Sequence, residues 1–146
     1  MDKWSKLAKI LPKGEEYVET LIPAFCICYN KSESPVPVYI KEFIIIKANA
    51  SEVILLEKSS KISVKTARRL EAWTNSPYGD DDIVVQYIKE LFRDEWFDNL
   101  SDAKKAINNA RKRQIAWIKD DIKRIRISLR KEENLLKLCQ NSKKII

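Results

Sequence analysis

The chain has 146 residues, of which 28 are Lys or Arg and 21 are Asp or Glu, giving a formal net charge of +7 with no histidine to modulate it. Without histidine the commonest general base, the commonest metal ligand and the usual partner of a catalytic Ser or Cys are missing, which excludes most familiar hydrolase chemistry. Residues 1–100 carry 14 basic and 16 acidic side chains, net −2, whereas residues 101–146 carry 14 and 5, net +9, so the whole surplus sits in the C-terminal third.

Trp4, Leu7, Ala8 and Leu11 fall at i, i+3, i+4 and i+7, with Asp2 placed to cap the first turn and Pro12 and Gly14 placed to end the pattern. This spacing predicts a short amphipathic helix whose apolar face packs on the domain. Its other face, with Lys3, Lys6 and Lys9, makes a weak membrane anchor at best. From Tyr17 to Val64 the pattern becomes strand-like. Pro23–Tyr29, Val36–Lys47 and Val53–Glu57 are rich in β-branched residues and are separated by turn-forming clusters around Asn30–Pro35 and Ala48–Ser51. Connections this short suit antiparallel neighbours, because parallel crossovers need about a dozen residues or more. The expectation is an antiparallel meander of three or four strands. Glycine occurs only twice, so Asn30 and Asn49 must serve the turns, or longer loops must replace them.

Ile62–Trp73 alternates at Ile62 and Val64 and then steps by three through Ala67, Leu70 and Trp73, which reads as a strand running into a helical turn. Asn75-Ser76-Pro77-Tyr78-Gly79 is the strongest turn signal in the chain, followed by Asp80-Asp81-Asp82. Ile83, Val84, Tyr87, Ile88, Leu91 and Phe92 then keep a 3.6-residue period behind an acidic cap, favouring a middle helix from about Asp81 to Phe92 over a strand beginning at Val84. Ser101 is read as the cap of a long C-terminal helix, with no Gly or Pro from there to residue 146. At 100° per residue, Ile107, Ile115, Ile118, Ile122, Ile125, Leu129 and Leu136 share one arc. From Ile115 to Leu129 the spacing is 3-4-3-4, a heptad seam of the coiled-coil kind that Glu132 interrupts before Leu136 and Cys139.

Four features bear on chemistry. Lys105, Lys112, Lys119, Lys123, Arg126 and Arg130 form a sector beside the apolar arc, a stripe about 35–40 Å long that could neutralise several phosphates. The alternative is a solvated helix face, and with only Trp117 nearby, stacking on single strands is poorly supported. Tyr78-Gly79-Asp80-Asp81 matches the metal-binding hairpin of RNA-dependent polymerases, where paired carboxylates hold Mg²⁺. The chain is too short for that enzyme and has no second Asp motif ahead of this one, so helix capping is preferred and a Mg-dependent enzyme using Asp80 and Asp81 is the least favoured reading. Cys26-x-Cys28, with only Cys139 elsewhere, cannot close a zinc site, and buried apolar cysteines are preferred. Phe92, Trp96 and Phe97 are read as core, with Trp73 and Trp96 as interface anchors should they be exposed.

Leu91-Phe92-Arg93-Asp94-Glu95-Trp96-Phe97-Asp98-Asn99-Leu100-Ser101-Asp102-Ala103-Lys104-Lys105-Ala106-Ile107 resembles the passage from β-meander to capped C-terminal helix in many small phage and mobile-element proteins. Members of that group are accessory factors, among them anti-CRISPR-like inhibitors of host defence and nucleic-acid-binding regulators. The resemblance implies that role and assigns no residue.

The fold class expected is therefore α+β: one domain with a globular part over 1–100 and a long basic helix over 101–146. The function expected is non-enzymatic binding of a nucleic acid or a nucleic-acid-handling complex through the basic stripe, with no cofactor and no metal. The alternative is a homodimer assembled along Ile115, Ile118, Ile122, Ile125 and Leu129. Three cysteines, too few for a disulfide framework, and the lack of an apolar span point to a cytoplasmic protein, of a host cell if phage-encoded, with no membrane partner.

Overall fold

A computed structural model describes residues 3–30, 37–70 and 82–142. It is α+β, in the order α1 (Ser5–Ile10), β1 (Val18–Tyr29), β2 (Pro37–Ala48), β3 (Glu52–Glu57), α2 (Val64–Ala67), β4 (Ile83–Tyr87), α3 (Ile88–Leu91), β5 (Trp96–Phe97) and α4 (Leu100–Ser142). The chain divides into two compact units, Met1–Asn109 and Ala110–Ile146.

The first unit is built on an antiparallel sheet of order β4-β3-β2-β1-β5. The meander is as the sequence implies, although β1 starts at Val18 rather than Pro23, and two further strands extend the sheet. Both faces are covered. One carries Ile22, Ala24, Cys26, Phe43, Ile45, Ala48, Val53, Leu55 and Val84 against Trp4, Leu7, Leu91 and Trp96. The other carries Ile46, Ile54, Leu56 and Ile83 against Ala67, with Ile62 and Val64 beside them. Ile45 and Ile46 serve opposite faces as strand neighbours do, and an irregularity between Ile45 and Lys47 returns Ala48 to the first face.

The predicted helix over Asp81–Phe92 is corrected. Ile83–Tyr87 is a strand paired with β3, and among the described residues of that span only the single turn Ile88–Leu91 is helical. Ile83, Val84, Tyr87, Ile88, Leu91 and Phe92 keep a helical period, but the edge of β3 offers backbone partners to the β-branched run Ile83–Val85, and both of its faces can be buried there, which outweighs an isolated amphipathic pattern. The predicted strand at Ile62–Val64 is also absent: Ser63 caps α2 by accepting from the Thr66 N–H at 3.2 Å. From this turn Arg68 straps the second face, donating from Nε to the Ile46 carbonyl and from Nη2 to the Thr20 carbonyl, each at 2.9 Å.

Turns without glycine rely on side chains. Asn49 is buried, and its Oδ1 accepts from the Ser51 and Glu52 N–H groups, each at 2.9 Å, closing β2 to β3 in an Asx-type turn. At the N-terminal end, Trp4 is buried and takes the left-handed conformation at φ 67°. Its indole donates to the Leu91 carbonyl at 2.6 Å, and its backbone N–H donates to Asp98 Oδ2 at 2.9 Å. Two hydrogen bonds and a fully buried indole hold that strained backbone and dock α1 on the domain. The proposed Asp2 cap lies outside the described residues.

Candidate functional site

Helix α4 starts inside the first unit. Its cap is Asn99 rather than Ser101: Asn99 Oδ1 accepts from the Asp102 N–H at 2.8 Å, and its Nδ2 donates to the Asp102 carboxylate at 2.9 Å. Asn holds this position as well as Ser does, so the seam residues keep their places. Ala103 and Ile107 are buried. Ile107 therefore belongs to the first unit's interior, while the rest of the predicted arc lies in the second unit.

In the unit Ala110–Ile146 the arc is bare. Ile115, Ile118, Ile122, Ile125 and Leu129 are 42–61% exposed, and Leu136 is similarly open. Five apolar side chains in 3-4-3-4 register, each about half in water, are an unpartnered coiled-coil face. Trp117, Ile127, Leu135 and Leu138 are exposed off that face.

The basic stripe lies beside it. Lys105, Lys112, Lys119, Lys123, Arg126 and Arg130 are all exposed, and among the described residues none of the six forms an ion pair. Among the described residues of α4, Arg124 pairs with Asp120 at 2.8 Å, one turn apart at the c and f positions. Written as heptads with Ile115 at a, the stripe occupies e (Lys105, Lys112, Lys119, Arg126) and b (Lys123, Arg130). It flanks the seam without competing for it. Trp117 sits roughly 140° around the helix from the stripe's centre at 100° per residue, so it offers the stripe no stacking platform.

A second polar cluster escaped the sequence reading. Cys26 and Cys28 on β1 stand opposite Lys41 and Tyr39 on β2. Lys41 Nζ lies 3.5 Å from the Glu57 carboxylate of β3, and both side chains are largely buried. An open groove of about 430 Å³ beside them is lined by Tyr39, Ile40, Lys41, Glu42, Glu57, Lys58 and Ser59. Hydrogen bonding between the thiols acts in opposite directions on the two: with burial it pushes Cys26 up, whereas with the Tyr39 hydroxyl and Lys41 it draws Cys28 down. Both thiols are buried, so the polarised Cys28 meets no solvent-borne reactant, and the charges lining the groove are matched in pairs, Lys41 with Glu57 and Lys58 with Glu42. Only cross-strand register could reveal this cluster, because its members come from three separate strands.

Trp96 is buried against Phe43, with ring centroids 5.5 Å apart, so it is core as expected; Phe92 by contrast is exposed. Trp73 and the Tyr78–Asp81 motif lie outside the described residues. Among the described residues no cluster of three metal-ligating side chains occurs, and no helix is long and apolar enough to cross a membrane. Comparison with protein-family models, with curated proteins and with solved structures finds no match to this chain.

Proposed function

We propose that this protein is a non-catalytic accessory factor of the phage or mobile-element kind, which binds a nucleic acid, or the machinery that handles one, through the basic face of α4. The observation that carries this reading is the stripe: in the second unit Lys112, Lys119, Lys123, Arg126 and Arg130 stand exposed over about 27 Å of helix, Lys105 is exposed in the first, and among the described residues none of the six forms an ion pair. Cations left unneutralised in one sector create the positive field that attracts a polyanion. Six phosphate contacts would lower affinity about a thousandfold between 50 and 200 mM salt. The resemblance of residues 91–107 to small phage proteins extends the reading to interference with a host nucleic-acid-handling complex. The test is capture of partners by the tagged chain from lysate with and without nuclease, alongside a variant with Lys119→Glu, Lys123→Glu and Arg126→Glu. Nuclease-sensitive capture lost in the variant supports nucleic acid, and nuclease-resistant capture lost in the variant supports an acidic protein. Capture equal in both proteins refutes the stripe.

The bare seam supports a second, compatible reading, in which the chain pairs with another copy along Ile115–Leu129. Burying the exposed half of each seam residue yields about 1 kcal/mol, so roughly 10 kcal/mol is gained across a pair. Association itself costs about 4–15 kcal/mol. Such pairing is weak and depends on concentration, and sedimentation over a range of concentrations reads it directly.

A further inference from the structure

The seam has a direction written into its flanks. With Ile115, Ile122, Leu129 and Leu136 at a, and Ile118, Ile125 and Cys139 at d, the g position between the second and third layers is Asp121 and the e position that follows it is Arg126. Neither forms an ion pair among the described residues of its own chain. When two copies run parallel and in register, each g residue lies beside the following e residue of the other copy, so Asp121 meets Arg126 of the second copy, twice by symmetry. The remaining g-to-e pairs, Gln114 with Lys119 and Ser128 with Glu133, set no like charges together. Reversing one helix instead brings e against e. Lys112, Lys119 and Arg126 fill three consecutive e positions, so Lys119 would then face Lys119 or Arg126 of the other copy, a juxtaposition that disfavours the arrangement.

We infer that α4 self-associates with a second copy in parallel and in register, held by the Ile115–Leu129 seam and oriented by Asp121–Arg126 pairs between chains. The inference rests on the self-association reading above and adds the direction and register to it. It also says what the interruption does: every seam position faces its own copy across the axis, and Glu132, the charged one among those from 115 to 136, sets like charges together and ends the continuous apolar contact at Leu129. Cys139, one d position further on, is exposed, while Cys26 and Cys28 are buried in the first unit. Parallel register therefore sets the two exposed thiols face to face, whereas antiparallel pairing separates them by about 45 Å of helix.

Sedimentation of the full chain over a hundredfold concentration range comes first. At a concentration where it associates, brief treatment with a thiol oxidant such as diamide is then read on a non-reducing gel. More than half of the chain is expected as a disulfide-linked pair, with none in Cys139→Ser. Each thiol gives up its proton and the oxidant takes the two electrons. Independently, Asp121→Lys is expected to weaken association about tenfold, and adding Arg126→Glu to restore it. An associated chain that neither crosslinks through Cys139 nor responds to the charge exchange overturns parallel register while leaving self-association standing. A chain that stays monomeric throughout overturns both.

Discussion

Isoleucine is treated in opposite ways by the two units. In Met1–Asn109, Ile27, Ile45 and Ile46 are sealed between strands and covering turns, and Thr20, Asn49 and Gln86, the buried polar residues, sit within a hydrogen-bonded frame. No buried side-chain N or O atom among the described residues lacks a partner. In Ala110–Ile146, Ile115, Ile118, Ile122 and Ile125 face water at regular heptad spacing. The apolar surface kept in register on this exposed helix face is the surface proposed above to pair, and the same helix carries most of the chain's excess positive charge. Stability therefore resides in the first unit, and the recognition proposed above is assigned to the second.

Substitutions can break that contrast, and the largest effect belongs to the core. Phe43→Ala or Trp96→Ala is expected to cost about 3–5 kcal/mol in chemical denaturation of the first unit, because each leaves a cavity where the two rings meet. Ile122→Ala, at low protein concentration, should stay within about 0.5 kcal/mol, since little contact is lost in the monomer. A large loss from Ile122→Ala in the monomer would mean the seam is not free. Next in size, Asn99→Ala removes the α4 cap and should cost about 1 kcal/mol, fraying the first turn in hydrogen exchange while leaving seam pairing intact.

The smallest effect is a pH dependence confined to the first unit. The Tyr17 hydroxyl is pushed up to about 12, first by partial burial and then by its hydrogen bond to Glu52. A raised folded-state pKa gives stability that is fully present below about 10, where the unfolded phenol titrates, and is lost as pH rises toward 12. With the side chain about two-fifths exposed, solvent screening holds the loss near ~0.5 kcal/mol. Stability of the parent should thus fall across that window relative to Tyr17→Phe, as measured by denaturation at each pH. Parallel curves would remove Tyr17 from the account.

Much of this organisation is legible in the residues. Clustered β-branched runs between short turns specify the meander, and the period of 115–129 specifies the seam, because these are local patterns read by one backbone geometry at a time. What escaped is set by tertiary pairing. Ile83–Val85 is a strand because β3 has an open edge, and Trp96–Phe97 pairs with Phe25 and Cys26, far away in sequence. Lys41 and Glu57 meet only through the register of β2 on β3. Asn99 rather than Ser101 caps α4 because β5 ends at Phe97 and the helix begins at Leu100, which sets Asn99 where its side chain meets the Asp102 N–H. Spacing places the basic stripe and the seam on their faces of α4, whereas their exposure and the burial of Ile107 are set by what packs on each part of the helix.

The central claim is that the exposed stripe on α4 binds a polyanion, and its salt dependence is the most direct measurement. Fluorescence anisotropy of labelled single-stranded and duplex oligonucleotides, from 50 to 200 mM salt, compares the parent chain with the variant carrying Lys119→Glu, Lys123→Glu and Arg126→Glu. The account predicts that the parent's affinity falls about a thousandfold on the duplex across that range, and that the slope of log affinity against log salt shrinks by about 3 in the variant. Equal slopes in the two proteins, or no binding by the parent at 50 mM salt, would contradict it.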